Sequence, residues 1–123
     1  MPSPSRRSPS PEVAALRSAA EGSCRQLRDQ VRAQARLIRS GAVGELTEAD
    51  VQSMAKRITA AARARLDAAA PPGQGPPADP DLEATRREAA MLMAAMAREA
   101  DAELRKAWRA RHEKAAGRRW WHR

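Results

Sequence analysis

Phenylalanine and tyrosine are absent from this chain of 123 residues, and three tryptophans are its only aromatic side chains. Hydrophobic residues make up 42% of the sequence, but alanine supplies much of that fraction, so large apolar side chains are few. A thick globular core is hard to build from such a composition, whereas long helices can pack through narrow apolar seams. The composition therefore favours an all-helical domain.

Cysteine and long apolar runs are also scarce. Cys24 is the only cysteine, which excludes an intramolecular disulfide and leads us to expect a cytoplasmic protein. The longest apolar run, AAMLMAAMA at 89–97, is far shorter than the roughly 20 residues that span a bilayer. The opening MPSPSRRSPSP has no apolar stretch, so we expect no signal peptide.

Signatures of catalysis are missing as well. The sequence has no glycine-rich phosphate loop, no nucleophile elbow and no histidine–aspartate constellation. His112 and His122 lack cysteine or carboxylate partners at metal-ligand spacing. We therefore expect no enzymatic activity, no cofactor, no metal and no small-molecule substrate.

Positive charge is abundant. The net charge is +8 and the isoelectric point is about 11.3, which suits nucleic acid, acidic lipid or an acidic protein surface as a partner. Twenty arginines stand against three lysines beside many alanines, and a GC-rich genome would produce the same bias on any exposed helix. Both explanations of the arginine count stay open at this point.

The first 70 residues predict a disordered basic Ser/Pro arm, 1–10, followed by a helical hairpin, 11–70. A first helix over about 11–40 begins with Ser10 as its cap and Pro11 in its first turn. Its apolar face has three- and four-residue spacings: Val13, Leu16, Ala20, Cys24, Leu27, Val31, Ala35 and Ile38.

A second helix is predicted over about 48–69. Thr47 and Asp50 fit a capping box, and Leu46 and Val51 are placed to form a hydrophobic staple. Its expected apolar face is Val51, Met54, Ile58, Ala62, Leu66 and Ala69.

The Pro/Gly segment PPGQGPPADP, 71–80, predicts a linker, because neither a helix nor a strand can continue through it. A long helix should follow over 81–116, capped by Asp79 and ended by Gly117, with a basic tail at 117–123. Its expected face is Leu82, Ala89, Leu92, Met93, Met96, Ala100, Leu104 and Trp108.

These elements predict an all-α fold: an antiparallel helical hairpin plus a long third helix, as a three-helix bundle or a coiled-coil-like arrangement.

Five arginines of the first helix are candidates for contact with nucleic acid or an acidic partner. They are spaced 3, 4, 4 and 3 residues apart, which places them on one edge of the helix beside its apolar face. A row about 21 Å long can follow a phosphate backbone or an acidic helix. Alternatively, it is a solvated face whose stems cover the apolar seam. The row is Arg25, Arg28, Arg32, Arg36 and Arg39.

The third helix and the tail carry the other candidates. Methionines adapt to irregular surfaces and tryptophan is typical of protein interfaces, although methionines on an apolar stripe are more often core residues. The candidate docking residues are Met93, Met96, Trp108, Trp120 and Trp121. The candidate basic tail is Arg118, Arg119 and Arg123.

Three hypotheses for function follow. The first is a small non-enzymatic interaction or adaptor protein that binds a protein partner or itself through helix–helix contacts. The second is a basic accessory protein that binds nucleic acid through the first helix and the basic ends. The third and weakest is a peripheral protein that docks on an anionic membrane through its tail.

Overall fold

The computed structural model describes residues 10–69 and 79–121, with side chains described as far as residue 113. Three α-helices occupy this part of the chain: α1 (Pro11–Ser40), α2 (Glu48–Ala69) and α3 (Pro80–Trp121). The residues so described contain no strand, and all three helices pack against one another, so the predicted all-α class is confirmed. The arm at 1–9 and most of the Pro/Gly linker lie outside the described residues.

Local hydrogen bonds explain where α1 and α2 begin. The Ser10 hydroxyl accepts a hydrogen bond from the Val13 N–H at 3.2 Å, and Pro11 occupies the first turn. Before α2, the Thr47 N–H donates to Asp50 Oδ2 at 2.9 Å and the Asp50 N–H donates to Thr47 Oγ1 at 3.1 Å. The predicted capping box is therefore present.

Hydrogen bonds from Thr47 also lower the pKa of the Asp50 carboxyl from its ordinary value. The stabilisation from this ionised carboxyl is thus present at neutral pH and is lost as the pH falls through the lowered pKa.

A Schellman-type turn ends α1. Gly41 adopts φ +77°, its N–H donates to the Ile38 carbonyl at 3.2 Å, and the Ala42 N–H donates to the Leu37 carbonyl at 3.1 Å. A Cβ added at Gly41 would lie only 2.5 Å from Arg111 Nη2 of α3. Glycine is favoured here by the left-handed backbone, whereas the guanidinium group of Arg111 is the end of a flexible side chain that could move away from an added Cβ.

α3 begins as predicted but ends later. Asp79 Oδ1 accepts a hydrogen bond from the Asp81 N–H at 3.0 Å, and Pro80 is the first helical residue. The helix has 42 residues, about 63 Å, and continues through Gly117 to Trp121, so the predicted end at residue 116 was wrong. A glycine inside a helix costs about 1 kcal/mol relative to alanine, and it ends a helix only by leaving the helical backbone conformation.

The helices alternate in direction. Leu16 near the start of α1 lies beside Leu66 near the end of α2 and Ala89 near the start of α3. At the other end, the α1–α2 loop contacts the stretch of α3 around Trp108 and Arg111. α1 and α3 therefore run parallel, and α2 runs antiparallel to both. The hairpin is as predicted, and α3 docks on both of its helices.

The core follows the predicted stripes closely on α1 and less closely on α2 and α3. All eight apolar positions expected on α1 are buried. On α2, Ala55 is buried and Ala69 is exposed, which reverses the expectation for these two alanines. On α3, Ala107 is buried, whereas Leu92 is 40% exposed.

Among the described helices, none combines the length and the apolar character needed to cross a membrane.

The core predicts a contrast between two leucines of α1. Leu27 is completely buried and Leu37 is 41% exposed. Leu27→Ala should lower the free energy of unfolding by about 2–5 kcal/mol, because it leaves a cavity at the centre of the bundle. Leu37→Ala, on the same helix, should change it by less than about 1 kcal/mol. Urea unfolding followed by circular dichroism measures both, and equal losses would contradict the assigned core.

Candidate partner-binding groove

The five arginines predicted as a contact row, here called the arginine ridge, are all exposed. Four of them line a groove between α1 and α3: Arg28, Arg32, Arg36 and Arg39. Arg25 lies nearer the start of α1, in a depression that it shares with Leu92 of α3. The structure thus places the arginine ridge along the boundary between two helices.

The floor of the groove is apolar but largely closed. It consists of Leu27, Val31 and Ala35 from α1 and Met96 and Ala100 from α3. None of these five residues is more than 7% exposed. Arginine stems beside such a seam shield apolar surface while the guanidinium groups stay in water. A partner would therefore meet mainly the charged rim of the groove.

Carboxylates form the opposite rim. Glu99 and Glu103 of α3 line the same groove as the four arginines of α1, so its lining carries four positive and two negative charges, a net +2. Among the side chains that the structure describes, no ion pair within 4 Å joins the arginine ridge to a carboxylate.

A different arginine, Arg105, forms ion pairs with carboxylates of two helices. Arg105 of α3 lies 2.9 Å from Asp101, four residues earlier, and 3.1 Å from Glu48 at the start of α2. Asp101 and Arg105 are four residues apart and therefore lie on the same side of α3. Since the arginine ridge has no comparable partners among the described side chains, its donors remain available to another molecule.

Cys24 lies at the edge of this site, and the pKa of its thiol depends on charges from both sides of the groove. Burial raises the pKa of the Cys24 thiol, the positive charge of Arg28 opposes that shift, and the negative charge of Glu99 adds to it. Both charges therefore act on one thiol, from α1 and from α3. The buried position of Cys24 also matches its expected place in the apolar seam.

Met93 and Met96 are 2% and 3% exposed and belong to the core. They were named both as docking candidates and as core residues, and their burial agrees with the core assignment. Side chains buried to this degree offer a partner almost no surface. The methionine exposed on α3 is Met91, at 73%.

Trp108, one of the docking candidates, packs against the bundle core instead of presenting a free aromatic surface. Its Nε1–H donates to the Leu46 carbonyl at 2.6 Å, and its half-buried ring packs against the core. The His112 ring lies 4.0 Å from it, centroid to centroid. This contact attaches α3 to the loop before α2.

The remaining candidates of the tail lie outside what the structure describes. This holds for the side chains of Trp120, Trp121, Arg118 and Arg119, and for all of Arg123.

The sequence analysis did not identify three residues of this site as candidates for partner contact. Glu99 and Glu103 were not named as candidates, and Leu92 was assigned to the apolar face of the third helix. The spacing of the two glutamates did indicate a shared edge of the helix, because positions 99 and 103 are four residues apart and lie beside the buried positions 96 and 100. Their relevance depends on α1 being the neighbour, which no spacing within α3 reveals.

The part of the chain with described side chains contains no group of three or more His, Cys, Asp or Glu residues arranged to hold a metal ion. No family model, curated protein or solved structure matches this chain.

The thiol of Cys24 gives a test of the groove geometry. Arg28→Gln should raise its pKa further, because a stabilising positive charge is removed, and Glu99→Gln should lower it, because a negative charge is removed. Thiolate absorbance near 240 nm as a function of pH measures both shifts. If the two variants leave the pKa unchanged or shift it in the same direction, Arg28 and Glu99 do not flank Cys24 as described.

Proposed function

We propose that this protein is a small non-enzymatic adaptor that binds a partner protein through helix–helix contacts along the α1–α3 groove. The observation that carries the proposal is a groove with four arginines on one rim, which form no ion pair with any described side chain, and two glutamates on the other. A partner helix can meet both rims at once, because the two flanks of a helix can carry opposite charges. The lone cysteine favours a reducing cytoplasm as its location.

The mixed rim favours a protein partner over nucleic acid. A phosphate backbone is uniformly negative, so in this groove its attraction to the arginine ridge is opposed by Glu99 and Glu103. The depression around Arg25 adds two further carboxylates, Glu21 and Asp29. The cationic row is thus bordered by acidic side chains along its length.

The surface features also disfavour the membrane hypothesis for the described part of the chain. Its large exposed hydrophobic side chains are Leu37, Met91 and Leu92. A membrane-docking helix instead carries a broad apolar face that it buries in the lipid interface. The apolar faces of these helices are used in the bundle core.

A site-specific cross-linking experiment tests the proposal. p-Benzoylphenylalanine is introduced in place of Arg36 on the groove rim and, as a matched control, in place of Arg57, which is exposed on α2. After irradiation in cells of the native host, the variant labelled at position 36 should give discrete protein adducts, at several times the yield of the control. Equal yields, no adduct at position 36, or adducts with nucleic acid or lipid would contradict the proposed function.

A further inference from the structure

We infer that the groove takes an acidic α-helix from a different protein, with a row of carboxylates facing Arg28, Arg32, Arg36 and Arg39. This inference rests on the proposed function and specifies the chemistry of the partner.

The first ground for the inference is the closed apolar floor of the groove. Because Leu27, Val31 and Met96 are almost fully buried, little apolar surface remains for a partner to cover. Affinity and specificity must come mainly from charge.

The second ground is spacing. The four arginines follow one another at intervals of 4, 4 and 3 residues, about 16 Å along α1. A helix lying along the groove has the same rise per residue. Carboxylates at positions i, i+4, i+8 and i+11 of that helix would therefore each meet one arginine. Two basic residues on its other flank would face Glu99 and Glu103.

The third ground is that this chain cannot supply the occupant itself. Every aspartate and glutamate of the sequence lies within the described residues, so neither the segment 1–9 nor the segment 70–78 contains a carboxylate side chain. A second copy is a poor fit as well. Its own groove carries a net charge of +2 and the whole chain +8, so two such faces would repel each other.

The test uses a synthetic probe. A lactam-stapled, alanine-based helix of about 21 residues carries four glutamates at the stated spacing on one flank and two lysines on the other. Its control peptide has glutamine in place of each glutamate. Fluorescence anisotropy measures the affinity of both peptides for the full-length protein, with a 20-base-pair DNA duplex as a further ligand.

Two triple variants with the same change in net charge are compared. R28Q/R32Q/R36Q removes three arginines of the groove, whereas R17Q/R57Q/R109Q removes three exposed arginines that line none of the described cavities. Glutamine and arginine have similar helix propensities, so both variants should keep the wild-type circular dichroism spectrum.

The glutamate peptide should bind the wild-type protein and the R17Q/R57Q/R109Q variant with similar affinity, and added salt should weaken its binding. R28Q/R32Q/R36Q should lose about tenfold or more in affinity, the combined effect of three exposed ion pairs that are individually weak. Unchanged affinity in that variant, or equal losses in both variants, would overturn the inference. Tighter binding of the DNA duplex, with the same selective loss, would assign the arginine ridge to nucleic acid.

Failure of this inference differs from failure of the proposed function. If the glutamine peptide binds as tightly as the glutamate peptide while position 36 still cross-links to a protein, the adaptor function stands and the acidic partner is wrong. If neither peptide binds and position 36 gives no protein adduct, both are wrong.

Discussion

Parallel packing of α1 against α3 covers the apolar stripes of both helices and sets the position of the groove between them. The chain has few large apolar side chains, so each helix offers only a narrow stripe, and stability requires the stripes to meet along their whole length. Leu27 of α1 and Leu104 of α3 are completely buried, and alanines between such residues allow the helices to approach closely. Leu16 beside Ala89 marks one end of the seam, and Arg111 beside Gly41 marks the other.

The charge distribution of the surface is a consequence of that seam. Arginines that border the stripe of α1 come to lie opposite Glu99 and Glu103 because α3 is the neighbour along that edge. Glu99 is near enough to influence the buried thiol of Cys24, yet neither glutamate forms an ion pair with the arginine ridge among the described side chains. The groove therefore keeps unpaired cations beside fixed carboxylates, an arrangement suited to a partner of mixed charge.

Much of the fold could be predicted from the sequence because its signals are local. The stripe of α1, the capping box of Thr47 and Asp50, and the caps at Ser10 and Asp79 depend only on residues within a few positions of one another. The predictions that were wrong would have needed tertiary information. On α3 the buried face continues to Ala107 and leaves Leu92 partly exposed, because the direction of its two neighbours decides which side is covered. The candidate groove needed the same information, since the charged residues of its two rims are at least 60 residues apart in sequence.

The direction in which α3 lies along α1 decides whether the groove exists, and methyl nuclear Overhauser effects report on that direction. With methyl-labelled protein, the parallel arrangement predicts cross-peaks between Leu16 and Ala89 at one end, and between the pair Leu27 and Val31 and the pair Met96 and Ala100 in the middle. Cross-peaks between Leu16 and Leu104, or the absence of any between α1 and α3, would contradict the account. In either of those cases the groove would not exist.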